Sequence, residues 1–219
     1  MIGRFFRRDS EPEPPKEHGP LKLILGGAVE IDTLGIQASL AGGEPAMEAP
    51  AGGSFVVAAI GTAKLDGGVV LTRYYDDEHR ILQVLAPPGA GAEGVEDVSL
   101  YVPWDSVAPM NDAEWQRWTG PTGMIGEAEY DADGILFRRY WGDGPGRVDL
   151  VEFTEDVDDG EQTRAIHQRC MLYSRPVGSA EEMLLITIER DIHERASREG
   201  GSVEFLIGYG LSPADIRRV

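Results

Sequence analysis

One block of strand and turn residues occurs twice in this chain, and that repetition limits the folds open to it. Ile60-Gly61-Thr62-Ala63-Lys64-Leu65-Asp66 lies over Ile125-Gly126-Glu127-Ala128-Glu129-Tyr130-Asp131, with Ile, Gly, Ala and Asp in common. One residue more in the second turn sets Gly68 over Gly134, Arg73 over Arg139, Tyr74 over Tyr140 and Asp77 over Asp143. A further single insertion brings Arg80 to Arg147 and Val84 to Val151. Both insertions fall in turns, where added residues cost least. Shared β-propensity repeats valines and glycines, but not an Arg-Tyr-aromatic run followed by Asp. A three-stranded meander buries little alone, so the two units, residues 60–84 and 125–151, are expected to pack together or side by side.

The rest of the chain follows the same strand-and-turn grammar. Its 28 glycines and 14 prolines favour many short strands over a few long helices. Strands are expected over 55–65, 69–75, 81–85, 98–102, 124–130, 135–141, 148–154, 164–173, 183–190 and 203–209. Asp66-Gly67-Gly68 supplies the positive φ of a tight hairpin. Residues 155–161 read as an acidic loop and 174–182 as a connecting loop. Asn111–Thr119 reads as a helix: Asn111 is a natural N-cap, Glu114 stands at the capping-box position, and Gly120-Pro121 stops it. Ser212-Pro213 opens a last helical turn. The expected fold is mainly β (α+β): two pseudo-repeated antiparallel β-meanders with one or two short packing helices. Residues 1–20 form a flexible tail, and 21–219 one globular domain.

Charge narrows the function. The tail is balanced, with Arg4, Arg7, Arg8 and Lys16 against Asp9, Glu11, Glu13 and Glu17, so the whole net charge of −18 falls on the body. Such a field repels phosphate backbones and attracts cations, polyamines or basic segments. Nucleic acid is therefore not an expected partner. The single cysteine, Cys170, rules out a disulfide framework and fits a reducing cytosol. No run of about eighteen apolar residues suits a transmembrane helix, and the start lacks the apolar centre of a signal peptide. Ile2, Phe5 and Phe6 among arginines suggest weak membrane-surface contact through residues 2–8.

No residue pattern signals catalysis. There is no Walker loop, dinucleotide-binding glycine fingerprint, Gly-x-Ser-x-Gly elbow or paired-histidine zinc motif. Cys170 and His167 lie three apart in an expected strand, so they face opposite ways and cannot pair as nucleophile and base. Asp156, Asp158, Asp159 and Glu161 crowd one segment and Asp131 and Asp133 another, but neither completes a calcium loop. No catalytic residue, metal or cofactor is assigned. The densest recognition chemistry is Arg-aromatic-acid: Arg73, Tyr75 and Asp77 in the first unit, Arg139, Trp141 and Asp143 in the second. Guanidinium and ring both offer large rigid contacts, and these six residues are the candidate binding site.

Gly26-Gly27-Ala28-Val29-Glu30-Ile31-Asp32-Thr33-Leu34, Tyr74-Tyr75-Asp76-Asp77 with Leu82-Gln83-Val84, Tyr140-Trp141-Gly142 and His167-Gln168-Arg169-Cys170-Met171-Leu172-Tyr173 occur in an order that resembles the YjfK-like proteins, an uncharacterised bacterial family. The resemblance covers about residues 21–219. It implies a bacterial cytosolic protein, encoded near membrane-stress proteins of the phage-shock type, ion-channel-like proteins and ATP-grasp ligases, and it carries over no catalytic residue. The expectation is a cytoplasmic, possible membrane-peripheral, non-catalytic binding or adaptor module with protein partners. The alternative is a binder of, or enzyme acting on, a small cationic ligand such as a polyamine.

Overall fold

The computed structural model describes residues 15–191 and 201–219. In chain order they form β1 (Ala28–Ile31), α1 (Leu34–Leu40), β2 (Gly53–Val56), β3 (Ala59–Lys64), β4 (Val70–Tyr75), β5 (Ile81–Ala86) and β6 (Asp97–Val107). There follow α2 (Asp112–Thr119), β7 (Glu129–Ala132), β8 (Ile135–Arg139), β9 (Val151–Asp158), β10 (Thr163–Val177), β11 (Ala180–Asp191), β12 (Val203–Gly210) and β13 (Ile216–Arg218). The fold is mainly β. No helix among the described residues is long and apolar enough to cross a membrane.

Eight strands close on themselves in the order β3-β4-β5-β6-β12-β11-β10-β9, with β9 returning to β3 and every pairing antiparallel. A barrel of eight strands is just wide enough for side chains to fill. Alternation fixes what enters it: Leu71, Arg73 and Tyr75 of β4 stand opposite Leu85, Gln83 and Ile81 of β5. Tyr101, Met183, Leu185 and Leu206 join Ile81 and Cys170 in the interior cluster. Gly208 is required there, because a Cβ at that position would collide with the Tyr101 ring.

The outward faces are covered as well, which is why the strands read as near-continuous apolar runs. Tyr74, Leu82, Val84, Val98 and Leu100 point out of the barrel and pack beneath Val29, Ile31 and Phe55 of the small sheet β13-β1-β2. On another side Met171, Tyr173, Leu184, Ile186, Phe205 and Ile207 pack with Ile36 and Leu40 of α1, Trp115 and Trp118 of α2, and Tyr130 and Phe137 of the β7–β8 hairpin.

Four expectations change. The strand over 55–65 is two strands in two sheets; the chain crosses at Val57-Ala58, where Val57 donates to the Gly27 carbonyl and Ala58 to that of Tyr75. Residues 155–158 are not loop but the end of β9, with Glu155 and Val157 turned inward. Residues 174–182 are mostly strand, since β10 and β11 form one long hairpin that turns at Gly178-Ser179. The first repeat unit is a three-stranded meander, β3-β4-β5. The second is only a hairpin, β7-β8, docked on Tyr173-Ser174 of β10. Its third strand, β9, leaves to pair with β3 and β10. The physical cause lies in the Arg139 loop described below. The membrane-surface contact expected of residues 2–8 concerns a segment outside the described residues.

Candidate binding site

The six residues singled out from the sequence do not form one surface. Arg73 and Tyr75 face the barrel interior, where Arg73 is 2% exposed. Its Nη1 donates to Glu155 Oε2 at 3.2 Å and its Nε to Gln83 Oε1 at 3.0 Å, and it lies over the Phe153 ring at 5.5 Å. The Tyr75 hydroxyl donates to Glu155 Oε1 at 2.7 Å, and Gln168 donates to Glu155 Oε2 and to Glu189 Oε1. Glu155 is wholly buried, and a Cβ at Gly61 would collide with its carboxylate, so the glycine makes the room it occupies. Burial alone would lower the Arg73 pKa, but Glu155 and Tyr75 hold it above its ordinary value. Burial, then the neighbouring Glu155 charge, push the Tyr75 hydroxyl well above its own. Among the described residues no fully buried side-chain nitrogen or oxygen lacks a partner, as a buried charge requires.

Cys170 belongs to this interior. Burial raises its thiol against the opposing pull of Arg73, and Thr187 is its hydrogen-bond partner. A protonated, enclosed thiol is a poor nucleophile. His167 sits on the opposite face of β10, 3.7 Å from Glu152.

Arg139 has a different task. Its Nε donates to the Trp141 carbonyl, Nη1 to those of Gly126 and Gly146, and Nη2 to those of Gly142 and Gly144. All five guanidinium donors thus meet backbone oxygens. The loop between β8 and β9 wraps around them, using positive φ at Gly142 and Gly144. This wrapping turns the chain away from β8, so Val151 onward pairs elsewhere. Trp141 packs against the core, whereas Asp77 and Asp143 are exposed.

Several functional-looking groups fall outside the sequence candidates. Glu182 is wholly buried and accepts from Tyr209 Oη at 2.6 Å, Arg175 Nε at 2.7 Å and the Ala46 amide at 2.9 Å, which ties the loop after α1 to the barrel. More open is a cleft of about 430 Å³ between β6, α2 and the β7–β8 hairpin. Trp104, Trp118, Tyr130 and Phe205 line it with Asp105, Asp131 and Asp133. Three of the rings form a connected set: Trp118 meets Phe205 edge-on with centroids 5.7 Å apart, and Phe205 lies 6.1 Å from Tyr130.

Local sequence places each wall of this cleft. The Asn111 side chain accepts from the Glu114 amide at 3.0 Å, and that cap starts α2 so that Trp118 falls on the barrel side. Asp131 Oδ1 accepts from the Gly134 amide at 2.7 Å and sets the tight hairpin whose tip carries Asp133 at φ 53°. Both acids were legible as a cluster; that they face two tryptophans was not. Burial raises the Tyr130 hydroxyl, with Tyr173, Asp133 and Asp105 adding to it, so both carboxylates lie within electrostatic reach of that ring.

Comparison with known proteins places the chain. A family described as protein of unknown function (DUF2491) matches residues 1–217. This chain belongs to the DUF2491 family. The protein named "Uncharacterized protein YjfK" of Escherichia coli (strain K12) is 26% identical over 199 residues, which is 90% of this chain and 88% of that one. No solved structure matches. Among the described residues of this DUF2491 chain, no group of three or more His, Cys, Asp or Glu side chains is placed to hold a metal ion.

Proposed function

We propose that this chain is a non-catalytic binding module whose ligand site is the cleft between β6, α2 and the β7–β8 hairpin. The observation that carries the reading is the connected set of Trp118, Phe205 and Tyr130, with Trp104 lining the same open cavity. Sites for small ligands are concave and lined largely by hydrophobic and aromatic side chains, with a few placed polar groups. The buried ionisable groups elsewhere support the non-catalytic part. Arg73 and Glu155, and Arg175 and Glu182, are bonded to one another inside the scaffold, which is how structural charges are satisfied. An adaptor role, in which a partner occupies the cleft, stands on the same surface.

The test is recovery of whatever fills the site. Native mass spectrometry and partner pull-down from a bacterial host compare the wild type with Asp133→Arg at the hairpin tip and with Met124→Glu. Met124 lines the cleft and is 42% exposed, so both changes leave the core intact. The expected result is a co-purifying molecule or partner that both variants lose. If both variants retain every molecule and partner that the wild type holds, the cleft is not the site.

A further inference from the structure

The cleft has a feature beyond its shape. Tyr130 is 6% exposed and lines the cavity; its hydroxyl makes no hydrogen bond with the described residues, and since no fully buried side-chain polar atom among them lacks a partner, that oxygen is the part of the residue open to the cavity. A hydroxyl held on a packed ring and open only to the cavity offers one fixed hydrogen-bonding point to whatever enters from solvent. The same cleft is lined by the rings of Trp104, Trp118 and Phe205 and by Asp105, Asp131 and Asp133. Aromatic faces attract cations through their quadrupole, most strongly tryptophan, and nearby carboxylates deepen that attraction. The body's net charge of −18 adds a long-range field of the same sign. The three acids are not grouped to hold a metal ion. With rings and acids lining one cleft, the fit is to an organic cation that carries charge and apolar surface together.

Resting on the binding role proposed above, we infer that the Trp104–Trp118 cleft takes a small free organic cation bearing an alkylammonium group. Its ammonium head meets the Trp, Tyr and Phe rings, the Asp105 and Asp133 carboxylates balance it, and the Tyr130 hydroxyl bonds a polar atom of the ligand. A volume of about 430 Å³ falls inside the range of about 300–1,000 Å³ usual for small-ligand pockets.

Tryptophan fluorescence titrations of the full chain with choline, with 3,3-dimethyl-1-butanol as its neutral isostere, with spermidine, and with an uncharged-terminus lysine tripeptide test this. Choline or spermidine should saturate, and the neutral isostere should bind at least about tenfold more weakly. Asp133→Asn, at the exposed hairpin tip, should weaken the cation about fivefold or more, and Tyr130→Phe, which keeps the ring, about threefold. Raising the salt concentration should weaken binding by the cations alone. Equal binding of choline and its isostere overturns the cation assignment while leaving the cleft reading in place. Saturation by the lysine tripeptide alone gives the site to a protein side chain and overturns the small-ligand assignment. Cation binding unchanged in both variants, or no saturation by any cation, overturns the inference. If the cleft variants of the preceding test also keep their ligand, the binding reading falls with it.

Discussion

Replacing Arg73 by Met tests the reading of the barrel interior most sharply. The substitution keeps an unbranched apolar stem and removes the guanidinium. Glu155, wholly buried, would keep Tyr75 and Gln168 as donors but lose its only counter-charge among the described residues. Gln83 Oε1 would lose its donor as well. Breaking one side of a buried ion pair costs about 3–5 kcal/mol, because the remaining charge stays out of water. For a chain of this size each kcal/mol moves the melting temperature by about 2–4 °C, so Tm should fall by ~6–20 °C. Differential scanning calorimetry and urea unfolding at neutral pH measure it. The partner change Glu155→Met should be costly too, since it strands the guanidinium. The double variant should then be less destabilised than the two single losses together, by about 2 kcal/mol or more. An Arg73→Met protein that melts within about 2 °C of wild type, or strictly additive losses, would refute the argument that this pair holds the barrel interior.

Two further perturbations follow from the same chemistry. Arg139→Lys retains the charge but offers three donors in place of a fixed fork of five; the loop over residues 140–147 should lose hydrogen-exchange protection and stability should fall by about 2 kcal/mol. Unchanged protection there would show that the carbonyl wrapping does not shape the loop. Burial raises the Glu189 carboxyl against the opposing hydrogen bond from Gln168. The folded state therefore holds that proton more firmly than the unfolded chain does. The contribution is fully present below the unfolded pKa and is lost as pH rises through the folded one. Glu189→Gln should remove it, so the variant gains stability relative to wild type on going from pH 4 to pH 8; parallel urea-unfolding profiles across that range would contradict the assignment.

The sequence by itself determined the local elements. Val, Ile and Tyr runs bounded by Gly, Pro and Asp fixed most strands, Asn111 with Glu114 fixed the start of α2, and Ser212 with Pro213 fixed the last turn, where the capping box closes on Asp215. These signals act over a few residues, so they survive without knowledge of the rest of the chain. It also carried the Arg-aromatic pattern and the Asp131–Asp133 pair, though not what each would meet. Residues 155–161 illustrate the limit: Glu155 reads as a solvated loop acid because nothing near it in sequence neutralises it. Arg73, 82 residues away, turns it into a buried strand residue. Likewise Arg73 and Arg139 match in the alignment of the two units, yet one charges a barrel interior and the other is enclosed by a glycine loop. Trp104 and Trp118 become one wall only when β6, α2 and the β7–β8 hairpin converge. Such long-range pairings depend on barrel closure and strand register, which a one-dimensional pattern of propensities does not encode.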